Sequence, residues 1–231
     1  MCIHRLPQGQ SIIFPQSHCP SCNTKLKPID LIPILSFIIQ KGKCRYCGRK
    51  IPFRYPLVEF LTALLFVVLY LRFSFSVEFI FYCIFSMILI IVSFTDLEYE
   101  IVPDSMSILG AIPGLIFWAV KGKPLFALGG AFVGLSFMYV LSKVASAVFK
   151  KEAFGGGDVK LSMTLGAYLG IQGLALSLFF AAILGAAAGL ILLVLRLRRL
   201  GEHIPFAPAM AIGALIVLFF GTRILNWYFG M

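Results

Sequence analysis

The sequence predicts an all-α polytopic membrane protein with about seven transmembrane helices, preceded by a small N-terminal module that carries two CxxC pairs. Two features of composition lead to this class. The chain of 231 residues is 60% hydrophobic and only 13% charged, whereas a soluble domain averages about 25% charged residues. Apolar segments long enough to cross a bilayer core follow one another from residue 57 to the C-terminal region.

The predicted helices follow from these apolar segments, which are separated by short polar turns. The fifth segment is shorter than the others and ends at Gly170, which favours a tilted, broken or re-entrant helix. We expect two domains, a polar head at 1–56 and a helical membrane body at 57–231. The candidate spans lie near residues 57–71, 77–95, 105–120, 125–149, 159–170, 173–195 and 205–221.

Basic residues are concentrated in the head. Residues 1–56 contain nine of the 20 Lys and Arg residues and one acidic residue, Asp30, and so carry a net charge of +8. Such an excess is typical of the cytoplasmic side of a membrane protein. A basic surface also suits nucleic acid, but beside a membrane it more often contacts anionic lipid or simply reflects topology. We therefore expect membrane lipids, and no nucleic acid, among the partners.

Two CxxC pairs in the head, Cys19 with Cys22 and Cys44 with Cys47, have the spacing of a zinc site. Each pair turns back on itself and offers two thiolates to one tetrahedral ion. Four soft ligands close the coordination sphere, which indicates a structural rather than a catalytic zinc. The alternative is a pair of disulfides or a redox CxxC, and a cytoplasmic location argues against disulfides.

Two acidic residues, Asp96 and Asp158, lie at the ends of apolar segments, where an ionisable group is costly and indicates a functional site. Two predicted spans separate them, so both return to the same membrane face. Two carboxylates in a partly desolvated site do not both ionise easily, and one keeps its proton near neutral pH. Such a pair can activate water and polarise a carbonyl, which supports peptide hydrolysis. Gly155 and Gly157 leave room before Asp158 for an extended substrate backbone.

Structural roles compete with functional ones at several charged positions. Asp96, taken alone, would be a carboxylate at a helix end. Asp104 follows a proline and fits the N-cap of the next helix. Lys160 fits a lysine that extends to the membrane interface slightly better than a catalytic neighbour. Glu59 lies inside the first span, where it needs a partner, and Arg54 is the candidate.

Four stretches, taken together and in order, resemble the type IV prepilin peptidase family of GxGD-type membrane aspartic proteases. SHCPSCNTKL with KGKCRYCGRKIPFRYPLVE is similar to the family's cytoplasmic zinc module. TDLEYEIVPD and GGGDVKL are similar to its two aspartate motifs, and IPFAPAMAIG, at 204–213, to its C-terminal signature. The resemblance implies that Asp96 and Asp158 are catalytic. It implies supporting roles in the active site for Asp104, Gly155, Gly157 and Lys160.

The same resemblance implies a function for the whole chain. Members cleave the basic leader of type IV prepilins and pseudopilins on the cytoplasmic face of the bacterial inner membrane, after a glycine, for type IV pili, type II secretion or DNA uptake. Many then methylate the new N-terminus with S-adenosylmethionine, through a region that includes the positions of Arg54 and Glu59. Members usually open with an apolar span ahead of a segment like CIHRLP, which here follows Met1 directly. This departure leaves the peptidase motifs intact and puts methylation in doubt.

Two other classes of protein compete with this interpretation. A transporter or channel could bind a coupling cation through intramembrane aspartates, but the chain has no internal inverted repeat and its acids lie near span ends. A lipid-modifying enzyme is weakly suggested by the basic residues near the interface. Cleavage of a prepilin-like segment, as against ion flux without cleavage, separates the peptidase from the transporter.

Overall fold

The computed structural model describes residues 2–7, 9, 11, 14, 16–150, 155–197 and 204–230. Within these ranges the regular structure is helical, apart from two isolated β-bridges in the head, so the all-α fold is confirmed. A 3-10 turn, Pro28–Leu31, lies between the first two short helices. The helices are α1 Cys2–Arg5, α2 Leu35–Ile39, α3 Arg54–Phe73, α4 Val77–Tyr99, α5 Asp104–Val120, α6 Pro124–Phe149, α7 Gly156–Val194 and α8 Ala207–Phe229.

The chain forms two compact units, Met1–Phe79 and Ile80–Met231. Helix α3 belongs to the first unit, and α5 to α8 belong to the second. Five of the helices, α3, α4, α6, α7 and α8, are long and apolar enough to cross a membrane, and α5 is a shorter apolar helix. The protein is therefore an integral membrane protein by the length and composition of its helices. The domain boundary predicted after residue 56 remains a prediction from the sequence.

Helix α7 folds back on itself at Gly170, which has φ 67° and ψ −177°. Gly130 of α6 contacts Gly166 of α7, and Gly134, one turn later, contacts Ser162. The first half of α7 therefore runs antiparallel to α6. Beyond Gly170 the direction is opposite, because a Cβ on Gly129 would lie beside Ile171 and a Cβ on Gly134 beside Leu174. The two halves of α7 therefore correspond to the predicted spans 159–170 and 173–195. They meet at one residue rather than in a loop.

Glycine is required at this reversal for two reasons. Its φ lies in the left-handed region, and a Cβ there would overlap the ring of Phe126. The indole Nε1 of Trp118 donates a hydrogen bond of 2.9 Å to the carbonyl oxygen of Tyr168, two residues before the break. A carbonyl at such a break needs a partner within the bilayer, and Trp118 supplies one.

Small residues allow α6 and the first half of α7 to approach until their backbones touch. A Cβ on Gly130 would overlap the carbonyl of Gly166, and a Cβ on Gly134 would overlap that of Ser162. Residues four apart lie on one face of a helix, and such small-residue faces are typical of helix pairs in membranes. The core beside this pair is formed by α4, both halves of α7, and α8: Phe85, Ile88, Leu89, Val92, Leu161, Leu165, Tyr168, Leu174, Ala181, Ala207, Met210, Ala211 and Ala214.

Candidate active site and metal centre

The two aspartates lie at the ends of helices in the second unit, and both are buried. Asp96 is in the last turn of α4 and is 3% exposed, whereas Asp158 is in the first turn of α7 and is 4% exposed. Burial of a carboxyl group in an apolar bundle is costly unless hydrogen bonds or charges compensate for it. Each carboxyl group therefore needs a compensating contact, and in both cases a backbone N–H at the beginning of a helix supplies it.

Asp96 is held by the first residue of α8. Its Oδ2 accepts a hydrogen bond of 3.0 Å from the backbone N–H of Ala207. The first N–H groups of a helix have no partner within that helix, and the positive end of the helix dipole stabilises negative charge. Pro208 follows at the second position, where a missing N–H does no harm. The segment IPFAPAMAIG therefore contributes a backbone donor to a carboxyl group 111 residues earlier in the chain.

Asp158 closes the first turn of α7. Its Oδ2 accepts a hydrogen bond of 3.2 Å from the N–H of Gly155, and its own N–H donates to the carbonyl oxygen of Gly155 at 3.1 Å. The carboxyl group thus occupies the third position of the helix, where an acidic side chain reaches back to the residue that precedes the helix. This contact orients the side chain, and because α7 begins at Gly156, Asp158 lies inside the first turn of the helix.

The aspartates lie at the same end of the buried core. Asp96 follows Val92 by one helical turn, and Asp158 precedes Leu161 by one turn. Val92, Leu161 and Ala207 belong to one buried cluster, and the N–H of Ala207 reaches Asp96. The end of α4 therefore meets the start of α8, and the contact of Gly157 with Val102 brings the start of α7 beside the segment that follows α4.

Asp104 and Lys160 form an ion pair beside these helix ends, with Nζ 2.5 Å from Oδ2. The prediction that Asp104 is the N-cap of α5 is wrong, because Pro103 occupies that position and Asp104 is the first residue of the helix. The Asp104 side chain is 62% exposed and turns to the lysine instead. Lys160 thus has a carboxylate partner, which the interpretation as a lysine extending to the interface did not include.

Gly157 is required for packing against the segment between α4 and α5. A Cβ at this position would overlap the side chain of Val102, whereas a Cβ on Gly156 would meet nothing within 4 Å. The room that the sequence suggested beside the glycines therefore exists at Gly156. At Gly157 the space is occupied by the side chain of Val102. This contact brings the start of α5 close to the start of α7.

The four cysteines of the head are clustered as a metal site requires. Their Sγ atoms all lie within 4.8 Å of one another, and those of Cys19 and Cys47 are 3.9 Å apart. Tetrahedral zinc with Zn–S bonds of about 2.3 Å places its sulfur ligands about 3.8 Å apart. The thiols of Cys19, Cys22, Cys44 and Cys47 therefore fit one tetrahedral ion.

The two cysteine turns have the same backbone construction. The N–H of Asn23 donates to the carbonyl oxygen of Cys19 at 2.8 Å, and that of Gly48 donates to Cys44 at 2.9 Å. The residue after each pair has a positive φ, 54° at Asn23 and 69° at Gly48, where asparagine and glycine are tolerated best.

Hydrogen bonding also favours the ionised form of one thiol in this cluster. Burial raises the pKa of Cys19, but hydrogen bonds from the backbone of Ser21 and Cys22, together with neighbouring thiols, lower it to about 6. The thiolate is the form of cysteine that binds a metal. The head therefore presents at least one ligand in its binding form near neutral pH.

Glu59 and Arg54 both make contacts inside the first unit. Oε2 of Glu59 accepts a hydrogen bond of 2.7 Å from the N–H of Ile34, which has a positive φ of 62°. The Arg54 guanidinium lies 5.2 Å from the ring centroid of Tyr55. The sequence predicted that Glu59 needs a partner inside the span. The backbone N–H of Ile34 is such a partner.

The N–H of Ala207 and the side chain of Val102 contribute to these sites but were not predicted from the sequence. No side-chain chemistry marks either residue. The sequence does indicate that a helix begins near Ala207, because the segment contains proline. Its contact with Asp96 depends on tertiary structure alone.

The fold and these two sites define an all-helical membrane protein with a buried carboxyl group at each of two helix ends and a head in which four clustered cysteines could hold a metal ion. A model of the Bacterial Peptidase A24 N-terminal domain matches residues 1–73, and a model of the Type IV leader peptidase family matches residues 83–190. Together with the relatives described next, these matches show that the chain belongs to the type IV leader peptidase family.

Its relatives share one name. The chain is 37% identical over 231 residues to the prepilin leader peptidase/N-methyltransferase of Bacillus subtilis (strain 168), with 98% of this chain and 90% of the relative covered. The protein of the same name from Aeromonas salmonicida (strain A449) is 36% identical over 222 residues, covering 94% and 76%. That from Neisseria gonorrhoeae is 33% identical over 223 residues, covering 94% and 77%. No solved structure matches the chain.

Proposed function

We propose that this protein is a membrane aspartic endopeptidase that removes the basic leader of type IV prepilins or pseudopilins on the cytoplasmic face, after a glycine. Membership of the leader peptidase family supports the reaction class. The observation that carries the proposal is the pair of buried aspartates, Asp96 and Asp158, at helix ends. Among the described residues of the second unit these are the buried acidic groups, and the chemistry of such a pair suits hydrolysis of a peptide bond.

The proposed chemistry needs one ionised and one protonated carboxyl group. The ionised member removes a proton from a water molecule as that water attacks the scissile carbonyl carbon. The protonated member donates a hydrogen bond and then its proton to the carbonyl oxygen, which gives a tetrahedral adduct with two hydroxyl groups. As the adduct collapses, the first aspartate passes the proton it took from water to the amine nitrogen, and the second takes a proton back from a hydroxyl group. The C–N bond breaks, the amine leaves, and the pair returns to its starting state. Hydrogen bonds from Ala207 and Gly155 hold one oxygen of each carboxyl group, so both groups are oriented before substrate binds.

The substrate must be extended at the cleavage point, because a helical carbonyl is already hydrogen-bonded and shielded from attack. A glycine at that point favours unwinding, and the open space beside Gly156 suits a backbone that approaches Asp158. We further propose that the apolar stem stays helical among the spans. The groove between α6 and the second half of α7, about 390 Å³ in volume, suits such a stem. One wall of this groove is Phe206, the residue before Ala207.

We assign a structural zinc ion to the four cysteines of the head. Their sulfur atoms fit a closed tetrahedron, and four thiolates leave no coordination position open for substrate. The ion would hold the two cysteine turns together, and no step of peptide hydrolysis passes through it.

N-methylation is a second activity suggested by the double name of the relatives. S-adenosylmethionine would supply a methyl group to the new terminal amine. The contacts of Arg54 and Glu59 described above are with residues of the first unit. The buried aspartates make peptide hydrolysis the activity that the structure supports best.

The orientation follows from charge. A head with a net charge of +8 favours the cytoplasmic side. The two spans predicted between Asp96 and Asp158 support a position for the end of α4 and the start of α7 on the same side. We propose a multi-pass protein of the bacterial inner membrane whose partners are prepilins or pseudopilins and membrane lipids.

Incubation with a prepilin-like segment in lipid nanodiscs tests the function. The segment contains a basic leader, a glycine and an apolar stem, and mass spectrometry identifies the products. We expect cleavage after the glycine, and loss of at least about 100-fold in rate for Asp96→Asn. Glu98→Gln, which changes an exposed acid on the same helix, is the matched control and keeps most of the rate. Ion flux through the protein without any cleavage would instead support the transporter.

A further inference from the structure

The head has polar groups inside and apolar groups outside between residues 28 and 39. The Asp30 side chain is 2% exposed and pairs with Arg45, with Nε 3.1 Å from Oδ1. It also accepts hydrogen bonds from the Gln40 amide at 3.0 Å and the Tyr46 hydroxyl at 3.1 Å. Its neighbours Ile29 and Leu31 are exposed. A module surrounded by water would show the opposite arrangement.

Helix α2 also exposes apolar side chains. Phe37 is half-buried, and its ring centroid lies 6.5 Å from that of Phe53. Leu35, Ile38 and Ile39 lie on the other face of the helix, and Ile38 and Ile39 are 63% and 69% exposed. Surface helices of soluble proteins carry polar residues on their outer face, so this face is suited to an apolar environment.

The depth of this apolar segment is set by its attachment to the first span. The N–H of Ile34 donates to Oε2 of Glu59 at 2.7 Å, and both residues belong to the first unit. Glu59 lies five residues beyond Arg54, the first residue of α3, or about 7.5 Å along the helix axis. An amphipathic segment in a membrane interface lies about 5–10 Å deep. The distance of this hydrogen bond from the start of α3 therefore matches the depth of an interfacial segment.

Four exposed lysines flank the segment, Lys25 and Lys27 before it and Lys41 and Lys43 after it. Lysine and arginine beside an interfacial segment attract anionic head groups. A basic leader peptide would be repelled by the same charges. Charge complementarity therefore favours an anionic lipid surface over the substrate as the occupant of this face.

We propose that residues 28–39 form an in-plane membrane anchor. The outer side chains of the 3-10 turn and of α2 enter the acyl region of one leaflet, and the flanking lysines contact anionic phospholipid head groups. The anchor fixes the head against the bilayer at the start of α3, and it is independent of whether the protein is a peptidase.

Photo-crosslinking of the full chain in nanodiscs of phosphatidylglycerol and phosphatidylcholine tests the anchor. Benzoylphenylalanine replaces Ile38 in one variant and Ser21, an exposed residue of the first cysteine turn, in the control. After irradiation we expect lipid adducts at position 38 by mass spectrometry, at least about tenfold above position 21. Adducts at 38 no more frequent than at 21, or crosslinks from 38 to peptides of residues 80–231 in their place, would overturn the proposal.

A charge variant tests the lipid class in the position-38 protein. We expect Lys41→Gln with Lys43→Gln to lower the ratio of phosphatidylglycerol to phosphatidylcholine adducts by about fivefold or more. Lys121→Gln with Lys123→Gln, a pair with the same spacing between α5 and α6, is the matched control and leaves the ratio unchanged. An equal ratio in the two double variants would overturn the assignment to anionic lipid.

Discussion

The cysteine cluster of the head and the aspartate site of the helical unit are assembled in opposite ways. The cysteine cluster is built from two short turns, each of which presents both of its cysteines locally. The aspartate site takes its groups from the ends of helices far apart in the chain, and Asp96 is oriented by the N–H of Ala207. A site made of local turns survives changes in the remainder of the fold, whereas a site made of helix ends depends on how closely the helices pack.

Removal of the metal should show the independence of the head, and we expect it to have the largest effect. Small four-cysteine modules take most of their folding free energy from the ion. Treatment with a strong chelator should release one zinc per chain and expose the backbone amides of residues 17–50 to rapid hydrogen exchange. Exchange in α4 to α8 should stay as it was.

Cysteine variants provide the control for that experiment. Cys83, which is buried in α4, is outside the cluster, so Cys83→Ala should keep one zinc per chain while Cys44→Ser loses it. Full zinc content in Cys44→Ser, or none in the unaltered protein purified without chelator, would refute the metal assignment.

Close packing of α6 on α7 should be the point at which the aspartate unit is most sensitive. Gly130→Ala places a Cβ against the carbonyl of Gly166, and we expect a loss of at least about 2 kcal/mol in the free energy of unfolding. Gly129→Ala is the matched control, because its Cβ would meet Ile171 at an ordinary 3.6 Å. It should be neutral or stabilise the helix by up to about 1 kcal/mol. Thermal unfolding in detergent measures both, and equal midpoints would contradict the packing.

The exposed ion pair should matter least. Asp104→Asn removes the carboxylate that faces Lys160, and exposed pairs contribute about 0–1 kcal/mol. We expect the rate of prepilin cleavage to fall by less than about fivefold, without a change in the unfolding midpoint. A loss as large as that of Asp96→Asn would move Asp104 from a supporting residue to a catalytic one.

The sequence predicted what short-range patterns encode. Apolar length gave the helices, including two segments that meet at Gly170, and CxxC spacing gave the cysteine cluster. It did not predict the partners of charged residues, since these depend on tertiary contacts. The sequence pattern predicted an N-cap at Asp104, but Pro103 is the N-cap and the Asp104 carboxylate pairs with Lys160. The apolar face of α2 was not recognised either, because its orientation relative to Asp30 follows only from the folded head.

The central claim is that the aspartates in the helical unit, rather than the cysteines of the head, perform cleavage. The most direct test measures the single-turnover rate on a prepilin-like segment for Asp158→Asn and Cys47→Ser in the same nanodiscs. We predict a loss of at least about 100-fold for Asp158→Asn, with normal insertion, and a loss within about tenfold for Cys47→Ser, because the metal acts only through the fold of the head. A near-normal rate for Asp158→Asn, or an equal loss in Cys47→Ser with its helical unit intact, would contradict the account.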